Sequence, residues 1–240
     1  MSEGLNSFGN RARIFLLTTA LLCPLLTAAA DQSTLAELDR AIMRPPPFPR
    51  KWETNLACLT ATAEKGHAGG QFDLASHYIF AVGTTQNLAK AVQLLTKSSS
   101  QGFPPAEYTL GMLYKHGVGV VSNQATADAW FQKAADQGHT PSKHEAALAA
   151  DREGKRAEAL KLLRDAAKKG FPSSEYLMGC IVSDPVESYM WYSLASLNVE
   201  AASTRALELR RTLTKEQLAE AEERIRKFHE NRPGQTPPSP

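Results

Sequence analysis

The side chains with the chemistry for catalysis or metal binding are few and dispersed. Six histidines (His67, His77, His116, His139, His144 and His229) stand apart, and none belongs to a His-Glu-x-x-His pair that would set two imidazoles on one helical face for zinc. There is no Cys-x-x-Cys, no Gly-x-Ser-x-Gly and no Ser-x-x-Lys, so neither a redox pair nor an activated serine stands at a recognised spacing. Gly117-Val118-Gly119 lacks the following lysine of a phosphate loop and reads as a turn that needs positive φ. Glu107 and Glu175 are two carboxylates at matching positions, five residues after Gly102 and Gly170. A pair acting on a glycosidic bond must lie about 5–10 Å apart. Their separation therefore depends on the elements that carry them.

Those elements repeat. Gly66, Gly102, Gly138 and Gly170 are spaced 36, 36 and 32 residues apart, each after a run ending in Lys or Gln. The segment Gly102-Phe103-Pro104-Pro105-Ala106-Glu107-Tyr108-Thr109-Leu110-Gly111 closely matches Gly170 to Gly179. Eight residues after each glycine stand Leu74, Leu110, Ala146 and Met178, and nine after it the small Ala75, Gly111, Ala147 and Gly179. With Tyr78 and Tyr114 at twelve, this is the i, i+4 spacing of a helix face. The small residue predicts close approach of a neighbouring helix. In the second half of each unit Ala91, Ala127, Ala159 and Ser188 align, followed at three and four residues by Leu94-Leu95, Trp130-Phe131, Leu162-Leu163 and Trp191-Tyr192. Each unit thus predicts two amphipathic helices, with Ser122 or Asn123 as a cap in the second.

Six residues after each glycine come Phe72, Tyr108, His144 and Tyr176, one planar side chain per unit. Such a ladder either anchors an interface or packs against the next helix, and Phe72 suits packing. Helix pairs advance by roughly 10 Å per unit, which sets Glu107 and Glu175 roughly 20 Å apart, too far for a glycosidase pair. Cys58 and Cys180 lie more than three units apart, beyond the roughly 7 Å reach of a disulfide. Two free, packed thiols are expected, with an intermolecular bridge as the alternative.

Ala106-x3-Leu110-Gly111-x2-Tyr114-x2-Gly117-x-Gly119-Val120, leading into Ala127-x2-Trp130-x2-Lys133-Ala134-Ala135-x2-Gly138, resembles a Sel1-like repeat, a relative of the tetratricopeptide repeat. The resemblance is specific in the second unit, good in the fourth and degenerate in the first and third, and it spans residues 55–200. It implies an all-α solenoid of about four helix pairs that binds other proteins, without implying one activity. It also implies that the first helix of each pair lines the concave face. That places Tyr108, Met112, Lys115 and His116 inward, with Phe72, Ser76, His144, Leu148, Tyr176 and Cys180 at the same offsets. Some members carry a cysteine bridge in each repeat and an activity against β-lactams. The cysteine pairs are missing here, so neither carries over.

The flanks read differently. Arg11 and Arg13 precede the apolar run Ile14–Leu26, and Thr27-Ala28-Ala29-Ala30 supplies small residues before Asp31. This is the layout of a signal peptide cleaved after Ala30. The run is short for a membrane span and holds Pro24, and Leu22 before Cys23 is not the small residue lipidation requires. Export to the periplasm, without stable membrane insertion after cleavage, is expected. Thr34-x-x-Glu37 is a capping box opening a short helix to about Met43, ahead of a Pro-rich spacer at 45–49. Trp52 to Lys65 reads as the second helix of an N-terminal half-repeat. Residues 201–213 and 214–229 read as two C-terminal capping helices, the second opened by Thr214-x-x-Gln217. Residues 231–240 are expected to be disordered.

The net charge of +2 leaves about +1 on residues 31–240, without the concentrated basic excess of a nucleic-acid binder. The expected function is therefore a non-catalytic periplasmic protein, without metal or cofactor, that binds a protein partner through its concave face. That partner is a secreted effector neutralised by an immunity protein of the type VI kind, a sensor domain, or a component of an envelope complex. A cell-wall-directed enzyme or a peptidoglycan- or lipid-binding envelope protein is the alternative.

Overall fold

Glycine and asparagine punctuate the helices where the sequence places them. The computed structural model describes residues 56–231, and these form eleven α-helices and no strand. The leader, the Thr34 helix, the Pro-rich spacer, Trp52 and the tail from 232 lie outside the described residues. The chain divides into two compact units, residues 56–146 and 147–231.

The first unit holds α1 (Leu56–Glu64), α2 (Ala68–Phe80), α3 (Leu88–Ser100), α4 (Pro104–His116), α5 (Gln124–Asp136) and the start of α6 (Thr140–Arg152). From α1 to α5 each helix packs on the next in sequence, the contact pattern of a solenoid. Gly102 turns the chain from α3 to α4 at φ 71°, and Pro104 opens α4 in its first turn. Asn123, rather than Ser122, caps α5 by accepting from the Thr126 amide at 3.0 Å, and Asn87 does the same for α3 from Lys90.

The core follows the repeat. Ala75, Ala91, Leu95, Ala106, Leu110 and Leu113 are buried together, with Phe72, Phe103 and Trp130 packed at their edge. The expected close approach is met at Gly111, where an added Cβ would sit 2.5 Å from the fully buried Phe131 ring.

The second unit holds α7 (Arg156–Lys168), α8 (Pro172–Ile181), α9 (Pro185–Ala195), α10 (Glu200–Arg210) and α11 (Lys215–Glu230). Gly179 repeats the role of Gly111, since a Cβ there would meet the Tyr192 ring at 2.8 Å. α9 is apolar nearly all round, with Val186, Tyr189, Met190, Trp191, Tyr192 and Leu194 buried. Such a helix needs cover on several sides, and α8, α10 and α11 provide it. Trp191 meets Phe228 of α11 edge-on at 5.5 Å. The Thr214 capping box forms in full. Thr214 Oγ1 accepts from the Gln217 amide, and Gln217 Oε1 from the Thr214 amide at 2.9 Å.

Cys58 and Cys180, the two cysteines among the described residues, are not joined by a disulfide. Cys58 is exposed, which corrects the expectation of two packed thiols. It lies on α1, whose buried residues are Leu59 and Ala63.

Candidate functional site

α4 carries the richest set of candidate side chains, because its two ends meet different chemistry. Near its start, Tyr108 is half-buried, with its ring 5.7 Å from Phe131 and 5.3 Å from His139. His139 opens the next repeat, and its Nδ1 lies 2.8 Å from Ser142 Oγ. Burial lowers the His139 pKa, which keeps the imidazole neutral at physiological pH. The result is a neutral pair of half-buried rings.

Two turns further on, about 10 Å along the helix, Lys115 Nζ donates to both carboxylate oxygens of Glu145, at 3.2 and 3.0 Å. The lysine side chain is 10% exposed and the glutamate 3%. Burial pushes the Glu145 carboxyl up. The charges of Lys115, His144 and His116 and the lysine hydrogen bond outweigh it and hold the group below the usual carboxylate range. Lys115 is thus fixed in place by a buried counter-charge.

The ten residues expected to face a partner fall into two sets. Ser76, Met112, His144 and Tyr176 are buried, while Phe72, Tyr108, Lys115, His116, Leu148 and Cys180 keep some exposure. Phe72 packs on Phe103 at 5.5 Å, and Ser76 Oγ donates back to the Phe72 carbonyl. The rungs of the planar ladder therefore differ. Tyr176, at 1% exposure, packs against Tyr192 at 5.6 Å, whereas Tyr108 is half-buried between Phe131 and His139. In the same unit as Tyr176, the Tyr192 hydroxyl donates to Cys180 Sγ at 3.3 Å. Burial, and then this bond, raise the Tyr192 pKa.

Sequence reasoning missed Glu145 and a recurring polar latch. Gln101, the residue before Gly102, donates to Gln71 Oε1 at 2.8 Å, and Gln137, before Gly138, donates to Glu107 Oε2. Both acceptors stand five residues after the preceding glycine and are buried. Lys133 also reaches Glu107 Oε1 at 2.9 Å, from a half-exposed position. Glu107, weighed above as a carboxylate with catalytic chemistry, is thus a structural acceptor that ties α4 to α5 within one repeat. The shared offset of Gln101 and Gln137 was the available signal.

Comparison with known proteins extends the repeat reading. The Sel1 repeat family matches residues 68–103, 104–139 and 174–198, so the first unit matches although its loop is degenerate. A Sel1 repeat protein from Oxalobacter formigenes has the same fold, with a TM-score of 0.58 at 25% identity over 73% of this chain, and this chain spans 55% of that protein's length. A protective antigen of uropathogenic Escherichia coli is 18% identical with a TM-score of 0.40, over 82% of this chain and 61% of its own. An immunity protein from Pseudomonas aeruginosa is 19% identical with a TM-score of 0.47, over 88% of this chain and 83% of its own. No curated protein sequence matches the chain. Residues 140–173 fall outside the family match, yet they supply α6 and α7 around the same kind of glycine turn. The repeat spacing and the small-residue crossings at Gly111 and Gly179 agree with the family match: the chain carries three Sel1 repeats and shares the helical fold of a solved Sel1 repeat protein.

Proposed function

We propose that this chain is a non-catalytic, exported protein that holds one protein partner against the first helices of its 56–146 unit. The observation that carries this reading is the array on α4, where a half-buried ring pair, Tyr108 on His139, lies two turns from a pinned charge, Lys115 on Glu145. Rigid aromatic anchors concentrate binding energy, and a side chain already held in place loses little entropy on binding. Sel1 repeats mediate protein–protein interaction, which supports binding over catalysis. The signal-like leader supports export to the periplasm. Within this reading, the finer role is neutralisation of a secreted effector, as by type VI immunity proteins, or restraint of an envelope sensor domain.

The test is to express the full chain with a C-terminal tag, isolate the periplasmic fraction, crosslink, and identify co-purifying protein by mass spectrometry. The expected result is one near-stoichiometric partner and loss of residues 1–30. Tyr108→Ala should weaken that complex by about 2 kcal/mol, roughly thirtyfold, with helix content unchanged. Full binding by a folded Tyr108→Ala and His116→Ala double variant would move the site off α4.

A further inference from the structure

The first two repeats turn from their first helix to their second through the same backbone and differ in what lies against it. Val82 and Val118 donate to the His77 and Leu113 carbonyls at 3.1 and 3.0 Å, and Asn87 and Asn123 to those of Tyr78 and Tyr114 at 3.0 and 2.9 Å. Gly83 and Gly119, each seventeen residues after the glycine that opens its repeat, stand at φ 67° and 72°. Leu88 lies against the second loop, where a Cβ added to Gly119 would sit 2.7 Å from the Leu88 Cβ. At Gly83 the same added atom would meet nothing among the described residues within 4 Å. Phe80, three residues earlier at the end of α2, is 37% exposed.

The repeat register points to what belongs against the first loop. Fourteen residues before Gly102, Gly138 and Gly170 stand Leu88, Gln124 and Arg156, each the first residue of its helix. Fourteen before Gly66 stands Trp52, outside the described residues. It precedes Leu56 by four residues and the buried Leu59 by seven, the i, i+4, i+7 spacing of one helix face. α1 packs on α2 as α3 packs on α4. Trp52 therefore holds toward the 81–87 loop the register position that Leu88 holds toward the 117–123 loop. The end of a repeat array needs cover, and an aromatic side chain buries about 150–250 Å².

We infer that Phe80 and the 81–87 loop form an intramolecular docking surface whose occupant is the chain's own Trp52, closing the N-terminal end of the array. Two features favour this occupant over an outside protein or a second copy. Only residues 53–55 separate Trp52 from α1, and so short a tether gives an effective concentration in the mM range. Phe80 to Asn87 carry no charged side chain, which suits an indole and gives a charged partner nothing to steer it. The assignment does not depend on the partner site on α4.

The test is hydrogen exchange of the full chain with Trp52→Ala. The Val82 and Asn87 amides should exchange about three- to tenfold faster, as the loss of a ring contact predicts, while those of Val118 and Asn123 keep their wild-type rates. Leu88→Ala should speed Val118 and Asn123 by a similar factor. Trp52→Phe keeps a ring in place and should leave Val82 and Asn87 near wild type. Subtracting its fluorescence from that of the wild type isolates the Trp52 emission, which should be blue-shifted and shielded from iodide. Unchanged exchange at Val82 and Asn87 in Trp52→Ala, or a Trp52 emission like that of indole in water, would overturn the assignment. So would protection of the 81–87 loop that rises with protein concentration, which would place a second copy there, or shielding of Trp52 that begins only when a partner protein is added.

Discussion

The units 56–146 and 147–231 are built on one repeat and fill it with different chemistry. In the first, helices are joined through buried polar groups: Gln71 with Gln101 and Glu107 with Gln137 and Lys133 inside single repeats, and Glu145 with Lys115 between two. In the second, the interior is dominated by large rings, with Tyr176 on Tyr192 and Trp191 on Phe228. The small residue at each helix crossing is common to both, Gly111 under Phe131 and Gly179 under Tyr192. The backbone geometry of the repeat therefore fixes where helices cross and leaves the contents of the spaces free. A polar interior gains directional pairing and with it an acute sensitivity to the loss of one partner. An aromatic interior is sensitive chiefly to volume.

That contrast is broken most severely at Lys115. Its removal leaves Glu145 buried without its main counter-charge, a defect that costs about 3–5 kcal/mol. Lys115→Ala should lose that much in urea unfolding of the full chain. Replacing both partners with apolar residues, Lys115→Met with Glu145→Leu, should recover most of it, because the desolvation penalty leaves with the charges. If the double variant is as unstable as the single one, the pair is not the source of the loss.

Acid should open the same point more gently. The Glu145 carboxyl titrates below its ordinary value of 4.5. Its contribution is therefore complete above the unfolded-chain value and is lost as pH falls through the folded one. The loss is smaller than in Lys115→Ala because a protonated carboxyl still accepts a hydrogen bond. Glu145→Gln should be less stable than wild type at neutral pH, with the gap closing below about pH 4.5. A gap that stays constant with pH would assign the stabilisation to packing.

Volume is the sensitive quantity in the second unit. Gly179→Ala places a methyl group 2.8 Å from the Tyr192 ring, and Gly111→Ala places one 2.5 Å from Phe131. Overpacking of this kind costs about 1–3 kcal/mol. Tyr192→Leu should partly rescue Gly179→Ala and leave Gly111→Ala untouched, as measured by thermal unfolding of the single and double variants.

What could be read in the sequence divides along the same line. The crossings were legible because Gly, Ala and large apolar residues recur at fixed offsets, and Gln101 and Gln137 of the latch recur too. The Lys115–Glu145 pair was not legible. The equivalent positions one repeat earlier are Ile79 and Thr109, so no period announces it. Burial was equally hidden. His144 and Tyr176 share an offset with the half-exposed Tyr108, and whether a ring at that offset is covered depends on the neighbouring helix. Cys58 shows the same limit, since α1 buries Leu59 and Ala63 and leaves Cys58 exposed with no repeat offset to announce it.

The smallest expected effect tests whether the difference between the units stops at their interiors. Each has a solvent-exposed N-cap, Asn123 on α5 and Thr214 on α11, satisfying one or two amides of the first turn. Truncating such a cap costs about 1 kcal/mol whatever lies beneath the helix. Asn123→Ala and Thr214→Ala should therefore be nearly equal in urea unfolding, unlike the interior variants. Hydrogen exchange adds a local readout. The Thr126 amide should exchange faster in Asn123→Ala, and the Gln217 amide in Thr214→Ala, each with its neighbours in the helix interior unchanged. A Thr214→Ala loss several times that of Asn123→Ala would mean that α11 depends on its cap to stay docked. The Trp191–Phe228 contact would then be held by the helix start as much as by the rings, and the aromatic unit would rest on a polar hinge of its own.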